Sequence, residues 1–408
     1  MTRRFALVSF AGTLRKVEAT VDKPSVKIGI PMRIAEVRAH ILEAKLSQPF
    51  AWSFNSTDTR TSCLVEIVAE DGTSGWGECF GPARLNAAVV RAMAADLVGK
   101  DALATERHWQ HVYNRFRDQG QKGLVVTALS GIDIALWDLK GRHFEAPIHV
   151  LMGGPLRSEV RAYATGTYRL NTGDPLDYIV REVRGYVEEG FSAVKLKIGF
   201  GVDEDERLIR AVREAIGPSI GLMLDANHGF DAIEAIELGR RVAPLNIGWF
   251  EEPVVPDDLD SYVEVRCGQP IPVAGGECEF TRWGFREVLA RRAFDILQPD
   301  TCAAGGLSEC KKIADMATAF GVRYVPHVWG CGIGLAAALQ LLAVLPHSPP
   351  RHTPLEPMLE FDRSEHPFRQ AVLMEPLEHD SGVVSIPEKP GLGIEVNRDA
   401  VARFTVGI

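Results

Sequence analysis

Lys195 and Lys197 stand two residues apart in Ala193-Val194-Lys195-Leu196-Lys197-Ile198-Gly199, a spacing that could do chemistry. Apolar residues alternate with the lysines and the run stops at glycine, which is the pattern of a strand. Side chains alternate across a strand, so both ammonium groups point to one face. Like charges held close favour the loss of one proton, and a lysine brought toward neutrality can act as a general base. The competing interpretation is a solvent-facing stripe on an edge strand, which the pair alone does not exclude.

The strand candidates that follow each end in an ionisable residue. Asp225 closes the next, in Leu224-Asp225-Ala226-Asn227; Glu251 comes in Glu251-Glu252-Pro253, and Glu277 in Gly275-Gly276-Glu277. Asp300 follows in Gln298-Pro299-Asp300, His327 in Pro326-His327, and Glu360 in Met358-Leu359-Glu360-Phe361-Asp362. An acid just after a strand is often only a helix N-cap. Three such acids on consecutive strands point instead to one shared rim, where they cannot all stay ionised unless a cation sits among them. Their hard oxygen donors suit Mg²⁺ better than zinc. His327 alone would be an ordinary core histidine, but Asp300, one strand earlier, could orient it as a second base. A lysine and a histidine on opposite sides of a bound molecule, with a cation near its carboxylate, suit removal of the proton beside that carboxylate. Glu360 would donate a hydrogen bond to the resulting enediolate if its carboxyl stayed protonated.

The elements that must position these groups are periodic. Strand candidates fall at Val160–Ala164, Ala193–Ile198, Gly221–Asp225, Ile247–Glu251, Ile271–Ala274, Asp295–Gln298, Val322–Pro326 and Pro357–Phe361, with helical patterns such as 203–216 and 306–320 between them. Eight β-α units favour an α/β fold with a closed (β/α)₈ TIM-type barrel, whose strand carboxyl ends form the site. Before the barrel, residues 32–150 read as an α+β capping domain: a meander with an Asp71-Gly72 turn, then helices near 87–97, 105–117 and 123–142. The barrel is assigned 151–362, and 363–408 a C-terminal return that packs on the cap. Residues 1–31 are assigned as an extension that adds nothing to the fold.

A net charge of −9 argues against nucleic acid or anionic membranes as partners. The seven cysteines show neither an even count nor Cys-x-x-Cys spacing, so a reducing cytoplasm is expected. The longest apolar run, 333–345, is interrupted by Gln340 and too short to span a bilayer.

The lysine pair, the Asp/Glu/Glu series, the Asp–His couple and the late Leu-Glu, in this order, resemble the enolase superfamily in its mandelate racemase-like subgroup. Gly75-Trp76-Gly77-Glu78, Leu136-Trp137-Asp138 and Pro390-Gly391-Leu392-Gly393 extend the resemblance from Met32 to the C-terminus. It implies Lys197 as one acid/base with Lys195 tuning it, and Asp225, Glu251 and Glu277 as Mg²⁺ ligands. It further implies His327, oriented by Asp300, as the second acid/base, Glu360 as the electrophilic acid with Glu356 a competitor for that role, and a homo-oligomer. Within the subgroup, Arg117-Asp118-Gln119-Gly120-Gln121, Asp225-Ala226-Asn227-His228-Gly229 and Pro326-His327-Val328-Trp329-Gly330 resemble the lactone-opening cycloisomerases. Cys278-Glu279-Phe280, after Glu277, departs from that pattern. The implied substrate is a sugar diacid or its lactone (D-galactaro- or D-glucaro-1,4-lactone), opened by β-elimination to a keto-deoxy-hexarate, with Asn227 and Trp329 contacting it. Dehydration of an open-chain sugar acid, or racemisation, uses the same residues and stays open. Loops 48–61 and 79–86 of the cap are expected to choose the substrate, with Phe50, Trp52 and Phe54 over it.

Overall fold

The computed structural model describes residues 32–347, 349, 352 and 355–407; the extension assigned to 1–31 lies outside the described residues. The cap opens with three antiparallel strands, Ile34–Ala51, Ser56–Ala69 and Ser74–Cys79. Helices Ala83–Leu97, Thr105–Phe116 and Leu124–His143 follow. The third helix lies directly on the third strand because glycine leaves room for it. A Cβ at Gly75 would stand 2.2 Å from the Ala135 carbonyl oxygen, and one at Gly77 2.0 Å from that of Gly131. The expected loop 48–61 is mostly strand, since Ser56-Thr57-Asp58-Thr59-Arg60-Thr61 is rich in β-branched residues and alternates in burial. Only the tip of the hairpin, around Trp52–Asn55, is left as a turn.

The second sheet is a parallel barrel. Its strands in chain order are Glu159–Thr165, Ala193–Lys197, Gly221–Asp225, Ile247–Glu251, Val273–Gly275, Ile296–Leu297, Arg323–Tyr324 and Leu359–Asp362. The first seven pair in sequence, and the eighth returns to pair with the first, Glu360 opposite Tyr163, which curls the sheet. No ladder joins the seventh and eighth strands among the described residues. At that seam the Glu360 carboxylate accepts the Val328 N–H at 3.0 Å instead. Seven helices connect the eight strands; the eighth is followed by a proline- and glycine-rich stretch (Pro367, Pro376, Pro387, Pro390, Gly391, Gly393) and no barrel helix among the described residues. This return adds an antiparallel strand, Val383–Ser385, to the first barrel strand, and Thr405 bridges Leu42 of the cap.

One buried carboxylate ties the cap to the barrel. Glu78, on the last cap strand, accepts from the Ser62 hydroxyl at 2.7 Å and from the Cys331 and Gly334 N–H groups at 2.9 and 2.8 Å. Those N–H groups begin helix Gly332–Ala343, where the helix dipole favours negative charge. Glycine at 330 and 334 makes the approach possible, since a Cβ at either would lie within 3 Å of Glu78.

Candidate active site

The Lys195/Lys197 strand is central, not an edge. It runs between the first and third barrel strands, with Thr165 opposite Lys195 and Lys197 opposite Asp225, and all five of its residues are buried. Both lysines share a face, and each has found carboxylates. Lys197 Nζ lies 2.6 Å from Asp225 Oδ2 and 2.9 Å from Asn227 Oδ1. Lys195 Nζ lies 2.5 Å from Glu251 and 2.7 Å from Glu360. The sequence expectation of a lowered lysine pKa is therefore corrected. Burial works against both ammonium groups, but Glu251 and Glu360 beside Lys195, and Asp225 beside Lys197, outweigh it and hold both above the ordinary lysine value.

Asp225, Glu251 and Glu277 come from three successive strand ends, and one oxygen of each lies within 4.8 Å of the others. Glu251 is further gripped by the Trp249 indole N–H at 2.9 Å and the Gln298 amide at 2.6 Å. Burial, with Asp225 and Glu360 crowding it against the pull of Lys195, pushes the Glu251 carboxyl up to about 8. Burial and the Glu252 charge push Glu277 up to about 7. Asp225 is held well below the usual range, since the two lysines overcome its burial. A converging set of buried oxygen donors, two of them pushed up by burial and neighbouring carboxylates, fits a hard divalent cation such as Mg²⁺.

On the far side, His327 Nδ1 donates to Asp300 Oδ2 at 2.7 Å, while Nε2 stands 3.4 Å from Glu277. The second Asp300 oxygen accepts the Cys302 N–H at 2.6 Å, so the carboxylate is fixed before it fixes the ring. Burial lowers the imidazolium, but Glu277 and Asp300 raise it more, to about 10. Glu360 is not the raised carboxyl expected from sequence. Burial lifts it, but the Lys195 ion pair and nearby His327 bring it below the ordinary glutamate value. Glu356 stands apart, exposed beside Arg157 and lining a separate cleft with Val322–Val325 at the opposite ends of the strands.

A cavity of about 210 Å³ joins these groups: Lys197, Asn227, Glu277, His327, Trp329 and Glu360 all line it. Lys195, Glu251 and Asp300 lie just behind: Lys195 bridges Glu251 to the lining Glu360, and Asp300 holds the lining His327. Trp52 and Phe54 from the hairpin tip and Phe80 from the cap also line the cavity. Phe50 sits one layer back, its ring tilted 35° against that of Tyr168 at 4.4 Å between centroids, and Tyr168 itself lines the cavity.

Residues 34–153 match the family described as mandelate racemase/muconate lactonizing enzyme, N-terminal domain, and residues 178–400 match the enolase C-terminal domain-like family. The chain belongs to the enolase superfamily, in its mandelate racemase-like subgroup. Among curated members of the superfamily it is 57% identical to D-galactarolactone cycloisomerase of Agrobacterium fabrum, over 91% of this chain and 99% of that protein. It is 35% identical to arabinonate dehydratase of Saccharolobus solfataricus, over 83% of this chain and 88% of that one. Among solved superfamily structures, 3,6-anhydro-D-galactonate cycloisomerase from Zobellia galactanivorans aligns over 92% of this chain and all of its own, with a TM-score of 0.84 and 38% identity.

Some residues around this enolase-superfamily cavity carried no signal of their own in the sequence. Tyr168 lines it, as do His228, which stood only inside the matched stretch 225–229, and Cys278, which stood out only as a departure from the pattern. Glu252, buried beside His228, was visible only as the second half of a Glu-Glu pair. Arg60, buried on the second strand of the hairpin, stacks 4.3 Å over Trp329 and reaches Asp362, so it holds that indole in place from the cap side.

Proposed function

We propose that the protein is a Mg²⁺-dependent cycloisomerase that opens an aldaro-1,4-lactone, D-galactaro- or D-glucaro-lactone, to a keto-deoxy-hexarate. What carries this proposal is one cavity lined by both an amine and an imidazole, beside three converging carboxylates, in a chain 57% identical to a lactone cycloisomerase. Asp225, Glu251 and Glu277 would hold the cation, which supplies positive charge to stabilise the enediolate form of the substrate carboxylate. Lys197 or His327, once its own proton has left (a loss that a cation beside Asp225 and Glu277 would favour by offsetting the charges that hold it), takes the proton from the carbon beside that carboxylate, and the configuration of that carbon selects which of them faces it. The C–H electron pair moves into the new double bond, and the ring C–O bond at the β-carbon breaks. The departing oxygen belongs to a carboxylate, a good leaving group that needs little acid assistance. Tautomerisation of the enol then gives the keto acid, with no net gain of water and no change of oxidation state overall. Lys195 would hold Glu251 and Glu360 in place, Asp300 would keep the His327 proton on Nδ1, and Asn227 and Trp329 would contact the substrate.

The dehydratase relatives support a second reading, loss of water from an open-chain sugar acid, with His327 protonating the departing hydroxyl. Incubating the purified protein and Mg²⁺ separately with galactarolactone and galactarate, followed by NMR, separates the two. Turnover of the open-chain acid alone would rule out the cycloisomerase. The proposal includes a cytoplasmic location, supported by seven free cysteines and by the absence, among the described residues, of a helix long and apolar enough to cross a membrane. It also includes a homo-oligomer, which light scattering on the purified protein tests.

A further inference from the structure

The strand ends that supply Asp225, Glu251 and Glu277 supply a second, chemically different trio a few residues on. An imidazole nitrogen of His228, a carboxylate oxygen of Glu252 and the sulfur of Cys278 all lie within 4.8 Å of one another. His228 Nε2 is 2.7 Å from Glu252 Oε2 and 3.9 Å from Cys278 Sγ. Glu252 is only 1% exposed, and apart from this ion pair its Oε2 has no hydrogen-bond partner among the described residues. The His228 and Glu252 backbones are left-handed, at φ 67° and 42°, which takes them out of the simple strand alternation. Phe54 stacks on the His228 ring at 5.4 Å and fixes its plane.

We propose that His228, Glu252 and Cys278 form a second cation site, selective for a thiophilic divalent ion such as Zn²⁺. One nitrogen, one oxygen and one sulfur donor suit zinc in tetrahedral geometry, with a fourth position open, whereas the oxygen-only trio beside it suits Mg²⁺. On binding, the Cys278 S–H bond breaks, its proton leaves to solvent and the thiolate pair forms the bond to the metal. The ion also displaces the proton shared by His228 and Glu252, and nothing is oxidised or reduced. His228 and Cys278 both line the cavity, so an ion between them takes space the substrate needs. Zinc at this site is therefore an inhibitor that competes with substrate, a consequence that rests on the proposed function, whereas the binding itself does not.

The test uses the full-length protein saturated with Mg²⁺ and titrated with Co²⁺, read by equilibrium dialysis and near-ultraviolet absorption. The expected result is one further equivalent bound, with a thiolate-to-cobalt charge-transfer band. Cys278→Ser and His228→Ala lose the band, and Asp225→Asn keeps it while losing Mg²⁺-dependent turnover. In the unmodified protein, Zn²⁺ should also protect Cys278 from alkylation, as read by peptide mass mapping, independently of whether any variant folds. No band in the native protein, a band that survives Cys278→Ser, or alkylation of Cys278 undiminished by Zn²⁺ would each overturn the site. Loss of the band in Asp225→Asn would overturn its separateness from the acidic trio.

Discussion

Asp300→Asn isolates the contribution of the group that orients His327. Asparagine keeps the shape and keeps one oxygen for the Cys302 N–H, now 2.6 Å from the carboxylate. The position facing His327 Nδ1 at 2.7 Å becomes an amide N–H₂, which cannot accept the ring proton. The imidazole must then carry its proton on Nε2, the nitrogen on the Glu277 side, and cannot take another there. Asp300 is also one of the groups that raise His327 to about 10 against its burial, so the imidazolium becomes easier to deprotonate in the variant. Loss of a positioned acid/base is worth about 10²–10⁴ in rate, so kcat should fall by that factor with KM nearly unchanged. The limb of the pH–rate profile assigned to His327 should move to lower pH. Stopped kinetics across pH, with circular dichroism as a check on folding, reads both. A kcat within tenfold of the native value, with an unmoved pH profile, would refute the orienting role.

Lys197→Ala and His327→Asn should each lower turnover by at least about 10². Each should leave far-ultraviolet circular dichroism unchanged, and only the variant missing the base that faces the substrate should lose exchange of its α-proton in D₂O. Exhaustive chelation should abolish activity and Mg²⁺ restore it; at a hundredfold excess over Kd the ion adds about 2.7 kcal/mol of stability, read as a rise in Tm. In the metal-free protein, Glu251 and Glu277 titrate near 8 and 7, above the ordinary glutamate value, and His327 near 10, above the ordinary histidine value. At these three groups the folded state thus binds more protons than the unfolded one, so the stability they contribute is full below about pH 5 and is lost as pH rises through the folded values, up to about 10. Mg²⁺ should flatten that slope in urea titrations, and an unchanged slope would argue against binding by the acidic trio. Gly77→Ala must push helix Leu124–His143 off its strand, a cost of about 1–3 kcal/mol visible as a lower urea midpoint.

Much of the barrel was legible because burial on both faces makes each strand a short apolar run closed by a polar residue. Gly221–Asp225 and Ile247–Glu251 have the bounds the pattern gives. The later strands shrink to three residues at Val273–Gly275 and to two at Ile296–Leu297 and Arg323–Tyr324, because the ladder stops short of where the apolar pattern does. The order of ionisable residues was equally plain. Their charge states were not, since those depend on neighbours from other strands: Glu360 is lowered by Lys195, which lies 165 positions away in the chain. His228, Glu252 and Cys278 were hidden for another reason, each lying within three residues of a more prominent acid.

The Glu78 clamp has a consequence for anyone recombining members of this superfamily. The cap cannot be lifted off and exchanged as an independent part, because one of its carboxylates completes the start of a barrel helix only five residues after His327. A chimera that joins a foreign cap to this barrel must carry a matching acid, with glycines at 330 and 334 to receive it. Otherwise the misfit is transmitted to the segment that bears the histidine, and a change made far from the substrate is felt as lost turnover.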